Sequence, residues 1–141
     1  MTMKTAILAI AFACSLGGAG LVSARDPQSE SPVTAEQLIA QVLADDPSKE
    51  VVAQVYTFPP GAVLPWHIHP DAHEIAYVLE GTQTFEREGE APKEIPTGKA
   101  EYLAPNVVHR GMNKTDKPVR MFVVRIKPKD KPLVQEVPPP Q

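Results

Sequence analysis

From residue 51 onward, apolar residues come in short runs broken by glycine and proline. The runs 51–58, 75–79, 82–87, 101–103, 107–109 and 120–127 are rich in β-branched and aromatic residues, and each predicts a strand. Turn signals fall between them at Pro59-Pro60-Gly61, Glu80-Gly81, Glu88-Gly89, Thr97-Gly98, Ala104-Pro105-Asn106 and residues 113–117. Short strands with this punctuation predict an all-β sandwich or barrel. Val51, Val55, Val78, Leu79, Phe85, Leu103, Phe122 and Val124 are its expected core. A helical pattern precedes the strands. Thr34 as N-cap with Gln37 three residues on makes a capping box, and Leu38, Ile39, Val42 and Leu43 form an apolar stripe. Together they predict one short N-terminal helix, closed by Asp45-Asp46-Pro47.

The flanks differ in character. Residues 1–24 read as a secretory signal: Lys4 gives a positive start, an apolar run spans 5–12 and extends to 21, and Val22-Ser23-Ala24 supplies a small-residue cleavage site. The run is short and Gly-rich for a retained anchor. Lipidation at Cys14 is a further alternative, but Ala11-Phe12-Ala13 lacks the usual upstream Leu. Cleavage after Ala24 removes the only cysteine, so disulfides are excluded from the mature chain. The expected location is periplasmic or secreted. Residues 25–33 are polar and Pro-containing, a flexible lead-in. Residues 128–141 hold five of the sixteen prolines and read as a surface-hugging or disordered tail, ending in the polyproline run Pro138-Pro139-Pro140. The domain proper is then 34–127. The formal charge of −3, with no basic stripe, argues against nucleic acid or anionic lipid as partner.

Three of the four histidines crowd into His67-Ile68-His69-Pro70-Asp71-Ala72-His73. Side chains alternate along a strand, so His67 and His69 point the same way and can share one metal ion. Pro70-Asp71 breaks the strand before Glu74, and His109 follows a Pro-Asn turn. A lone His-x-His is often only a polar face; here the spacing around it carries more. Gly61, five residues, His67-x-His69, four residues, Glu74, six residues and Gly81 resemble the first cupin motif throughout. Gly98, His109 and Asn113 resemble the second, with Ala104 at its proline position and Asn106 at its glycine position. Asn is the non-glycine residue best suited to a left-handed turn.

The resemblance covers about residues 51–127 and is to small secreted bacterial cupins. It implies a cupin-type double-stranded β-helix, a jelly-roll barrel. It implies one divalent transition metal ion, Fe, Mn, Zn, Ni or Cu, held by His67, His69, Glu74 and His109. Glu74 is also the candidate catalytic carboxylate. Three neutral imidazoles as ligands imply that metal affinity falls below about pH 6. A small-molecule substrate or ligand and a homodimer are the implied partners. Three activities are open: a dioxygenase-like oxidoreductase acting on a small oxygen-bearing molecule, a redox-neutral lyase, isomerase or decarboxylase, and a non-catalytic binding module. His73 and Tyr77 share a parity opposite to Glu74: His73 reads as a solvated or core-packed residue, with a ligand swap or a supporting role beside the metal as the alternative, and Tyr77 as packing. Trp66, Tyr56, Phe58, Tyr102 and Arg110 read as structural or as pocket-mouth residues. No Ser-His-Asp order, phosphate loop or Cys-based site is present.

Overall fold

The structure is a computed structural model and describes residues 33–141; the signal segment and nearly all of the lead-in lie outside the described residues. The chain runs β1 (Thr34–Val42), β2 (Lys49–Phe58), β3 (His67–Ile68), β4 (His73–Glu80), β5 (Thr82–Arg87), β6 (Lys93–Pro96), β7 (Ala100–Leu103), β8 (His109–Met112), β9 (Val119–Pro128) and β10 (Gln135–Glu136). The strands form two five-stranded sheets, ordered β1-β2-β9-β4-β7 and β10-β3-β8-β5-β6, with antiparallel neighbours. This is the all-β, double-stranded β-helix architecture expected from the sequence.

The expected N-terminal helix is corrected. Residues 34–42 are strand β1, paired with β2 from Thr34↔Thr57 to Val42↔Glu50, with a register shift between Gln37 and Ile39. A capping box is a local signal worth about 1 kcal/mol. Pairing along the open edge of the ten-residue strand β2 instead satisfies the backbone groups of the segment that face β2. Leu38 and Ile39 are 51% and 48% exposed, so the apparent stripe packs against no core.

The core lies between the sheets. Phe58, Ala76, Val78, Phe85, Ile95, Leu103, Val119, Met121 and Val123 form one buried cluster. Of the expected core, Val78, Phe85 and Leu103 are buried there, whereas Val51, Val55, Phe122 and Val124 are only partly buried and Leu79 is exposed. The reason is strand alternation. On β4, Glu74, Ala76 and Val78 face inward and His73, Ile75, Tyr77 and Leu79 face outward. The outward face of this sheet is nearly as apolar as the inward one, so hydrophobicity alone cannot assign the parity.

Two turns set the site. Asn106 has φ +63°, the left-handed conformation expected at the motif's glycine position. Its side chain bridges to Asp71, accepting from the Asp71 amide at 3.0 Å and donating to Oδ1 at 2.9 Å. Asn113, buried, donates to the carbonyls of Phe58 and Lys117 and accepts from the Thr115 amide and hydroxyl. The second motif's Asn is therefore a turn clasp. The tail is ordered as well: β10 pairs with β3, Gln135↔Ile68 and Glu136↔His67, and the Val137 amide donates to the Trp66 carbonyl.

Candidate metal centre

Strand pairing places the histidines. His67 on β3 and His109 on β8 are direct antiparallel partners, and His69 follows one pleat beyond His67. The ring centroids are 4.3 Å apart for His67–His109, 5.0 Å for His67–His69 and 5.1 Å for His69–His109. All three rings are buried, and one ligand nitrogen from each lies within 4.8 Å of the others.

The tautomers follow from hydrogen bonding. His67 Nδ1 lies 2.8 Å from the Pro65 carbonyl, His109 Nδ1 2.8 Å from the Val107 carbonyl, and His69 Nδ1 2.6 Å from the Leu133 carbonyl. A carbonyl only accepts, so each Nδ1 carries the proton and donates. Each Nε2 is left as a lone pair. His69 Nε2 is buried without a hydrogen-bond partner, although Glu74 Oε2 sits 2.8 Å from it in off-axis contact. A lone pair and a carboxylate oxygen at that distance repel unless a cation lies beside them. Three converging imidazole lone pairs with fixed tautomers therefore fit a divalent transition metal ion.

Glu74, on β4 of the facing sheet, lies against this group with its carboxylate turned toward Arg125. Arg125 Nε donates to Glu74 Oε2 at 2.6 Å, and Nη1 donates to Gln54 Oε1 at 2.9 Å and to the Tyr56 hydroxyl at 3.1 Å. Both ionic partners are buried. Burial pushes the Glu74 carboxyl up, but the Arg125 guanidinium beside it outweighs this and holds the pKa at about 2. Desolvation lowers His67 and His109, and the rings' proximity to one another adds to it; His109 falls to about 4. His67 and His109 are thus kept neutral, the form that binds metal.

A cavity opens beside the cluster, lined by His67, His109, Arg125 and Gln83 together with apolar walls such as Phe58 and Phe85. Tyr56 and Phe58 both line it, as their place ahead of the motif had suggested. His73 is exposed and bonded through Nδ1 to the Tyr102 hydroxyl at 2.7 Å, away from the cluster. Trp66 carries the Arg110 guanidinium 4.7 Å above its ring, and Arg110 is paired with Glu86. Sequence reasoning missed Arg125, Gln83 and Leu133. Arg125 left one signal, a charge on the same parity as Met121 and Val123, in a strand that also carries Arg120 and Lys127. Gln83 left the analogous one, sharing a face with Phe85.

The two sheets and the three-His cluster define a β-barrel that can hold a metal ion. A cupin domain family matches residues 54–125, and the chain belongs to the cupin superfamily. Among solved structures it is similar to a protein with a double-stranded β-helix domain from Klebsiella pneumoniae, with TM-score 0.61 and 19% identity over 79% of this chain and 89% of that one. It is similar to the polyketide cyclase RemF from Streptomyces resistomycificus, with TM-score 0.61 and 22% identity over 78% and 74% of the two chains. It is also similar to the DMSP lyase DddQ from Ruegeria pomeroyi, with TM-score 0.58 and 24% identity over 72% of this chain and half of that one. At these identities the likeness concerns the fold. No curated protein matches the sequence.

Proposed function

We propose that the protein is an exported, metal-dependent oxidoreductase of dioxygenase type, acting on a small oxygen-bearing molecule. The observation that carries this reading is the set of three buried Nε2 lone pairs beside an apolar-walled cavity. His67, His69 and His109 would hold the ion, and Glu74 would join them as a fourth ligand or serve as the base beside it. Bound there, the metal supplies a Lewis acid and a place for oxygen and substrate to meet. The chain's own part is to fix the three imidazoles by their Nδ1 bonds, to keep Glu74 ionised through Arg125, and to exclude water with Phe58, Phe85 and their neighbours.

The Glu74–Arg125 pair favours a second reading. With its carboxylate engaged, Glu74 leaves the ion three protein ligands and more open positions, which suits a redox-neutral lyase or isomerase. The lyase and the cyclase among the similar folds are consistent with it. The experiment is metal analysis of the purified protein, followed by oxygen-uptake screening with small enols, diketones and phenols. Substrate-dependent oxygen consumption is expected. Turnover without oxygen would transfer the proposal to the redox-neutral reading, and absence of metal would defeat both.

The homodimer belongs to the same proposal. Ile75, Tyr77, Leu79 and Ile126 stand exposed on the outer face of one sheet, with Tyr102 beside them. A contiguous apolar face of this kind is characteristic of an interface.

A further inference from the structure

We propose that Gln83 and Arg125 form a receptor for a short hydroxy- or oxo-carboxylate, with the carboxylate on Arg125 and the second oxygen on the Gln83 amide. The inference rests on reading this cavity as the reaction site and names the substrate class that it takes.

Gln83 is fully buried, and neither Nε2 nor Oε1 has a hydrogen-bond partner among the described residues. Its side chain lines the cavity beside His67 and His109. Residue 111 makes room for it: a Cβ on Gly111 would lie 2.7 Å from Gln83 Nε2. Its surroundings include Phe58, Met121 and Val123, so a position serving only the core would hold an apolar side chain. Buried amides are otherwise paired, and one with both atoms unpaired in a cavity wall is suited to a ligand with hydrogen-bonding oxygen.

Arg125 supplies the other donor, its charge shared with Glu74 at 2.6 Å. Its Nε and Nη1 are taken by Glu74, Gln54 and Tyr56, which fixes the guanidinium plane, while Nη2 has no protein partner among the described residues. A second cavity, of about 130 Å³, lies toward the tail residues Val134 and Glu136 and shares Tyr56, Leu64, His67 and Arg125 with the first. Arg125 lines both cavities and Gln83 only the first. The first, about 20 Å³, admits about one oxygen-sized group beside Gln83, so the ligand is short. A planar carboxylate matches the fixed guanidinium edge.

Calorimetric titration of the metal-free and metal-loaded protein with glycolate, acetate and ethylene glycol tests this. Glycolate should bind about tenfold tighter than acetate, the difference expected of one hydrogen bond in a buried site, and ethylene glycol not measurably. Gln83→Leu should bring glycolate down to the acetate level while leaving metal content and Tm unchanged or Tm raised. Gln83→Glu, which keeps the shape, should weaken glycolate further by like charge. The proposal is overturned if Gln83→Leu lowers Tm and leaves the glycolate-to-acetate ratio intact, which would make the amide a structural group satisfied by water. It is equally overturned if ethylene glycol binds as glycolate does. The ratio is read without metal as well. A chain that holds no metal but keeps the ratio defeats the oxidoreductase reading alone, and a metal-loaded, active chain without the ratio defeats this inference alone.

Discussion

Arg125 Nε and Glu74 Oε2 meet at 2.6 Å across adjacent strands, both side chains buried, although 51 residues separate them in sequence. The pair fixes a charge beside three neutral imidazoles. Removing one member leaves the other buried and uncompensated. Arg125→Met should therefore destabilise the fold by about 3–5 kcal/mol in chemical denaturation. It should also raise the Glu74 pKa from about 2. A loss under about 1 kcal/mol would mean that water reaches the carboxylate.

Replacing His67 or His109 with Ala should abolish metal retention and leave the barrel folded. The buried cluster around Val78, Val119 and Met121 supports the sheets without the ion. Each such side chain, fully buried, contributes roughly 1.5–3 kcal/mol before entropy is set against it. Bound metal then adds stability only by linkage. Glu74→Ala should be milder, with metal kept but reduced. Circular dichroism and metal content on the same samples decide it; outright unfolding of His67→Ala would make the ion a condition of folding.

The pH dependence follows from three lowered groups. His109 titrates near 6.5 in the unfolded chain and at about 4 in the fold, and His67 is lowered in the same direction. Between those values the unfolded state binds more protons, so the metal-free protein should lose stability as pH falls from 6.5 toward 4. Glu74, lowered from 4.5 to about 2, contributes stability above pH 4.5 that is lost on further acidification. Because His67 and His109 are both lowered, their share of metal affinity should persist below the pH 6 expected of ordinary imidazoles. Denaturation midpoints and metal titrations at pH 4, 6 and 8 would show it; an affinity already halved at pH 6.5 would contradict the burial argument.

The outer sheet face predicts association. Light scattering should give twice the chain mass, and Tyr77→Arg, which puts a charge at the centre of the exposed apolar strip, should give single chains with metal content unchanged. A monomeric parent protein would remove the dimer from the proposed function.

The histidines were legible because their placement is local. A strand alternation, a short break and one cross-strand rung bring His67, His69 and His109 together, and the motif spacing encodes those steps. Strand existence was legible for the same reason; parity on β2, β4 and β9 was not, because both faces of that sheet are apolar. The segment 34–42 misled because a capping box and an apolar stripe are also met by a strand, and pairing with the neighbouring strand β2 decided between them. Arg125, Gln83 and Leu133 stayed hidden because they act only through contacts that the completed barrel creates.

Leu133 has a consequence in time. Its carbonyl, 64 residues beyond His69, is what turns that ring's free nitrogen toward the other two. A chain still being synthesised, with His67, His69 and His109 already made, lacks the strap that aims the third ligand. The aim of the third imidazole thus depends on the segment that leads into β10, which is the last part of the chain to be made.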